Sequence, residues 1–143
     1  MIIDLVNETD LLVDTDLLQK IAQDLTQRQI EFIITDNEGI RALNAQHRQK
    51  DTATDVLSFP LGDMPHAPLG AIVISKDFVI QKADELGHSY QEELTLLFIH
   101  GLLHLLGFDH ERDNGEMRRK EEVIIDAWKL PKSLIVRTEG DKA

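Results

Sequence analysis

Apolar residues recur along this chain in two rhythms. The short β-branched runs IIDLVN (residues 2–7), EFIITD (31–36), DVLSFP (55–60) and GAIVIS (70–75) read as strands. Longer stretches place leucine and isoleucine three and four residues apart, the helical spacing. DTDLLQKIAQDLTQRQ (14–29) follows Asp/Thr cap candidates, and DNEGIRALNAQHRQ (36–49) reads as a short helix. KDFVIQKADEL (76–86) reads as a helix ending at Gly87, and NGEMRRKEEVIIDAWKL (114–130) as the last helix, with Pro131 beyond it. Between them SYQEELTLLFIHGLLHLLG (89–107) is apolar nearly all round, with Ser89 as N-cap, Glu92 as its capping-box partner and Gly107 as the stop. LGDMPHAP is a Gly/Pro loop between the last two strands, and the TEGDKA tail reads as frayed. Strands and helices alternate irregularly. The expectation is an α+β fold with α/β character, with residues 1–143 as one domain. A mixed four-stranded sheet would pack with about five helices, with a site at the end of a central one.

Composition narrows this picture. A chain of 143 residues, 42% hydrophobic, suits one core. His100 and His104 interrupt the longest apolar run before it reaches a membrane span of roughly 18 residues. The start, MIIDLVNETDLLVD, has early acids and no basic region, so it does not read as a signal peptide. The absence of cysteine excludes disulfides and thiolate ligands and fits a reducing cytoplasm. A net charge of −11 ordinarily argues against a nucleic-acid partner. The charge is unevenly placed, however: residues 40–50 carry Arg41, Arg48 and Lys50 and no acid.

Three of the six histidines fall in HGLLHLLGFDH, at positions 100, 104 and 110. Residues four apart on a helix are separated by about 6 Å and share a face, so His100 and His104 can take adjacent corners of a tetrahedral metal site. On a continuous helix His110 would lie roughly 15 Å along the axis and about 80° round it, too far for a common ion. Gly107 can end the helix in the left-handed conformation and turn the chain back, which brings His110 within reach. A single histidine in an apolar helix is ordinarily a hydrogen-bonded core residue. Three at this spacing would each need a separate buried partner, whereas one metal satisfies all of them. The implied site has three protein ligands and an open fourth position, the catalytic arrangement of zinc.

The spacing equals that of the zinc-protease motif HExxHxxGxxH, whose glutamate is the general base. That position is Gly101 here. Without a proton shuttle, peptide hydrolysis takes second place.

HGLLHLLGFDH resembles the HGxLHLxGYDH motif of the YbeY family of bacterial endoribonucleases. LNAQHRQKDTATDVLSFP resembles that family's second block, LGAIVIS its glycine-containing strand, and the likeness runs from IDLVNET to the last helix. The resemblance implies a metal-dependent endoribonuclease preferring single strands. Its roles would be maturation of ribosomal RNA ends, especially of the small subunit, and ribosome quality control. Partners would be the small subunit or its assembly factors, with no membrane involved. It further implies His100, His104 and His110 as ligands of one Zn2+ per chain, with nickel or cobalt as substitutes in vitro. Arg48 would contact substrate phosphate, and Arg48 and His100 would be the catalytic groups. The chain departs from the family pattern at His47 and Phe108 (usually tyrosine), at Ala53 (usually proline) and at Ala71 (usually aspartate). Any catalytic role for that aspartate cannot apply here.

The remaining candidates follow from chemistry. A guanidinium offers a planar donor fork to two phosphate oxygens, which Lys50, a weaker backbone contact, would not reproduce. Ser58, in a segment that would form the edge of the substrate groove, is a further substrate contact. Asp109 is the expected partner orienting an imidazole, ahead of acid–base work. Asp55 reads as a turn or cap residue, His66 as solvated, His88 as a turn residue and His47 as a surface histidine near its titration range. Phe59 reads as core before base-stacking platform, and Trp128 as packing on the apolar face of the last helix with Val123, Ile124 and Ile125. Two rival functions stand beside the nuclease: a metal-dependent peptidase or phosphoesterase, and a non-enzymatic ribosome-assembly factor whose metal is structural.

Overall fold

The computed structural model describes residues 2–61 and 67–131, so His66 and the TEGDKA tail lie outside the described residues. Four strands form one mixed sheet: β1 (Ile3–Asn7), β2 (Ile30–Thr35), β3 (Val56–Pro60) and β4 (Gly70–Ser75), in the order β1-β2-β4-β3. β1, β2 and β4 run parallel, and β3 pairs antiparallel with β4 along one edge. Five helices complete the described fold: α1 (Thr15–Gln23), α2 (Asn37–Arg48), α3 (Lys76–Leu86), α4 (Tyr90–Leu105) and α5 (Glu116–Trp128). The expected α+β class and strand count hold.

Alternation along the strands assigns the two faces of the sheet. Phe32, Ile34, Ile72 and Ile74 face α1 and α4 and form the main core with Leu18, Ala22, Leu94, Leu97, Phe98 and Leu102. Phe32 and Phe98 meet as tilted rings 5.0 Å apart. Leu57 and Val73, of opposite parity, face α2 through Ile40 and Leu43. α4 packs against α1, α3, α5, β3 and β4. That accounts for a sequence apolar all round: this helix has no solvent stripe over most of its length.

Three expectations shift. The first helix stops at Gln23 rather than 29, because Leu25 and Thr26 N–H both turn back onto the Ala22 carbonyl. Leu25 packs into the core, and Arg28 beyond it clamps the Ala67 and Pro68 carbonyls. No glycine or proline marks that end. On α5, Val123 is 62% exposed and does not share the packed face of Trp128. His88 lies in the α3–α4 turn as expected, but its Nε2 sits 2.8 Å from the buried Glu93 carboxylate. Among the described residues no helix is long and apolar enough to cross a membrane.

Candidate metal centre and cleft

α4 starts at a reciprocal cap: Ser89 Oγ accepts from Glu92 N–H at 3.0 Å, and Glu92 Oε1 accepts from Ser89 N–H at 2.9 Å. It ends at Leu105, and Gly107 then adopts a φ of +99°. Gly107 N–H donates to the His104 carbonyl and Phe108 N–H to the Leu103 carbonyl, both at 3.0 Å. The chain therefore reverses at Gly107, as the glycine predicted. His110 comes back over the helix face that carries His100 and His104.

The three imidazoles converge. Ring centroids lie 4.7 Å apart for His100–His104, 5.4 Å for His100–His110 and 5.8 Å for His104–His110. One nitrogen from each ring lies within 4.8 Å of the others. Hydrogen bonds on the far sides fix two of the rings. His104 Nδ1 faces the Phe108 carbonyl at 3.0 Å, and a carbonyl only accepts, so that nitrogen carries the proton and Nε2 is a bare lone pair. His100 Nδ1 faces Glu121 Oε2 at 2.7 Å and donates for the same reason. His104 Nε2 and His100 Nε2 then face each other at 3.2 Å, a spacing satisfied by a proton or a metal ion between them. Tetrahedral zinc with Zn–N of about 2.05 Å would put neighbouring nitrogens about 3.3 Å apart. The donor set and its spacing thus fit a divalent transition metal. His110 Nδ1 is buried and, among the described residues, unpartnered. Burial, aided by the neighbouring His100, pushes the His104 imidazole below its ordinary value, so its lone pair is free near neutral pH.

Gly101 has a packing reason. A Cβ there would meet Ile72 Cγ2 at 3.0 Å, Ser58 Oγ at 3.1 Å and Val56 Cγ2 at 3.3 Å. The helix presses on β3 and β4 at that point, and the Ser58 hydroxyl donates to the Gly101 carbonyl at 3.0 Å. A zinc-protease glutamate would fit here only if these side chains gave way.

A cleft of about 500 Å3 opens beside the histidines, walled by Arg48, Asp55 and the β3 edge opposite Asp109 and Glu111. Arg48, at the end of α2, is exposed and donates from Nη2 to the Ser58 carbonyl at 3.3 Å. Lys50 is exposed in the following turn, outside the cleft wall. Ser58 lines the cleft, and its hydroxyl donates to the Gly101 carbonyl. Asp109 lines the cleft too. Its carboxylate accepts from Glu111 N–H at 3.1 Å and lies 3.6 Å from Arg112, while Glu121 and the Phe108 carbonyl hold the imidazoles. Asp55 accepts from Val56 N–H as a turn residue yet also faces the cleft. His47 packs on Phe59, with ring centroids 5.1 Å apart, and Phe59 is part of the α2-side cluster. Ala71 pairs with Phe59 on β4, shares the parity of Val73 and so lies on the face away from the histidines.

Glu121 is the residue the sequence reading missed. Met117, Glu121, Ile124 and Ile125 are all buried along one α5 stripe. A carboxylate at a buried stripe position was the available signal.

The β3 backbone adds a constraint. Asp55 O accepts from Ser75 N–H, and Leu61 N–H donates to Leu69 O. The antiparallel alternation therefore turns the groups of residues 55, 57, 59 and 61 toward β4, and those of 56, 58 and 60 outward. The Val56 N–H is taken by Asp55, Pro60 has none, and Arg48 covers the Ser58 carbonyl. Such an edge resists addition of a peptide strand.

The family model described as Endoribonuclease YbeY matches residues 6–129. The chain is 58% identical over 145 residues to Endoribonuclease YbeY of Sulfurovum sp. (strain NBC37-1), covering 96% of this chain and 98% of that protein. It is 59% identical over 137 residues to Endoribonuclease YbeY of Nautilia profundicola, covering 96% and 99%. Its fold is similar to the solution structure of TM1509 from Thermotoga maritima, with a TM-score of 0.59 and 26% identity over 89% of this chain and 91% of that one.

Proposed function

Since the chain belongs to the YbeY family of endoribonucleases, we propose that it is a zinc-dependent enzyme cutting single-stranded RNA. It would act in the cytoplasm, in maturation of ribosomal RNA ends, especially of the small subunit, and in ribosome quality control. The observation that carries the metal-dependent reading is the facing pair of imidazole Nε2 atoms 3.2 Å apart, with a third histidine beside them, open to a cleft that also holds Arg48.

His100, His104 and His110 would hold the ion, which when bound supplies an acidified water and a Lewis acid at a phosphate oxygen. Arg48 binds the scissile phosphate, its fork reaching two oxygens, and the outward Ser58 N–H is placed beside it as a second donor. Asp55, Asp109 and Glu111 on the cleft walls are placed to exchange protons with the attacking and leaving oxygens. A cleft of about 500 Å3 is of small-ligand size and suits a splayed nucleotide better than a duplex. The peptidase reading is disfavoured by Gly101, which has no carboxylate and where even a Cβ is crowded, and by an edge strand with two of three outward N–H groups missing or occupied.

Purified metal-loaded protein assayed on labelled single-stranded RNA, on duplex and on casein tests the reading. Cleavage of the single strand, lost in a folded His100→Ala variant, is expected. Casein cleavage with RNA untouched would overturn it, and full RNA cleavage by the folded variant would remove the metal from the mechanism.

A further inference from the structure

The carboxylate of Glu121 lies behind the metal centre, on a different helix from any of the histidines. Its Oε2 is 2.7 Å from His100 Nδ1, and its side chain is 2% exposed against 10% for His100. Around it α5 contributes Met117 and Ile124 to an apolar cluster that also contains Ile99 and Leu103. A carboxylate in such surroundings is costly unless its charge is met.

His100 is a direct hydrogen-bond partner of that carboxylate. The two nitrogens of an imidazole lie on opposite edges of the ring, so the Glu121 bond aims His100 Nε2 at His104 Nε2, 3.2 Å away. A divalent cation on that side would be felt by the carboxylate through the ring. The three rings are not held alike. His104 has a neutral carbonyl behind it, His110 Nδ1 has nothing among the described residues, and His100 alone has a carboxylate.

We infer that Glu121 is the positioning residue of the metal centre. It holds His100 in the Nδ1–H tautomer, raises the donor strength of Nε2 and couples the seating of α5 to metal binding. The inference rests on the metal reading of the three histidines and goes beyond it: a residue of α5 sets the affinity of a site whose ligands lie on α4 and the following turn. Carboxylates behind metal-bound imidazoles typically change affinity by about 10–100-fold when removed.

The test is zinc affinity, measured by competition with a chromophoric chelator on protein prepared free of metal. Glu121→Gln keeps the side-chain volume and removes the charge. The zinc dissociation constant is expected to rise about 10–100-fold, with the metal-free melting temperature near that of wild type. A purely structural role would lower the metal-free melting temperature and leave the affinity of the folded fraction alone, which would overturn the inference. If wild type itself binds no zinc, the metal reading fails; if wild type binds and Glu121→Gln binds equally, only the role of Glu121 fails. Nitrogen-15 spectra of the wild-type imidazoles give the answer without a variant. A protonated Nδ1 on His100 in metal-free protein is expected, and a bare Nδ1 with the proton on Nε2 would overturn the inference even where Glu121→Gln does not fold.

Discussion

Restoring the zinc-protease glutamate at position 101 is the perturbation that most directly probes why this site lacks it. Even the first added atom is crowded: an alanine Cβ would meet Ile72, Ser58 and Val56 at 3.0–3.3 Å. Overpacking of that kind costs about 1–3 kcal/mol, while replacing a helical glycine by alanine returns about 1 kcal/mol of helix propensity. Gly101→Ala should therefore destabilise by about 1 kcal/mol. Gly101→Glu adds four more heavy atoms, a methylene and a carboxylate, beneath the sheet, with no cation among the atoms nearest its Cβ. Burying the charge or forcing β3 away from α4 should bring the loss to about 3 kcal/mol or more, a large part of the 5–15 kcal/mol that holds a domain together.

Urea unfolding of wild type and both variants, each stripped of metal, gives the stabilities, and casein and RNA assays on reloaded protein give the activities. The expected order is wild type, Gly101→Ala, Gly101→Glu, with no peptidase activity in either variant. A Gly101→Glu protein as stable as wild type would refute the packing argument. One that also cut casein would show that the glycine alone separates this site from a protease.

Three further outcomes follow from the same geometry. Arg48→Ala should lower RNA cleavage about 10–100-fold, the worth of one charged hydrogen bond, and leave the melting temperature unchanged. Arg48→Lys should recover little of it, so full activity in either variant would remove the guanidinium from catalysis. Stripping the metal from protein held at 100 times its dissociation constant removes about 2.7 kcal/mol, a fall in melting temperature of about 5–10 °C; an unchanged value would uncouple the ion from the fold. Asp113 accepts from the Met117 and Gly115 N–H groups, which hold its carboxyl below the ordinary value. Its contribution is therefore present above the unfolded pKa, about 3.9, and is lost as pH falls through the lower folded value. Asp113→Asn should flatten the acid limb of stability below about pH 4, and an identical limb in the two proteins would count against the bond.

Local rules account for much of what was legible in the sequence. The cap at Ser89, the reversal at Gly107 and the return of His110 each depend on residues within a few positions of one another. Helical periodicity and the left-handed preference of glycine specify them with little help from the rest of the chain. What escaped depends on contacts between distant segments. Glu121 meets His100 across 21 positions and Ser58 meets Gly101 across 43. Asp109 was the natural partner for an imidazole because it is adjacent in sequence, yet the Gly107 turn directs its carboxylate to the Glu111 N–H. The end of α1 was missed for a related reason: it is set by Leu25 joining the core, and no residue there breaks a helix by itself.

Gly101 and Glu121 belong to one solution. Adjacent residues on a helix point about 100° apart, so while Gly101 lets α4 press on β3 and β4, His100 turns toward α5. Pressing the helix onto the sheet crowds the position where a protease carries its glutamate. In the proposed reading Glu121 would serve the same centre from the other side, buried behind a candidate ligand where it can tune a cation but cannot reach a substrate. In the same reading proton transfer would fall to carboxylates lining the cleft, Asp55 beside Arg48 and the edge strand, and Asp109 and Glu111 across from them. That division puts metal tuning in the core and acid–base groups at the rim, beside a guanidinium. It suits a phosphodiester, whose leaving oxygen can take its proton from the solvent side, better than a peptide, which needs one base to carry a proton from the water to the leaving nitrogen.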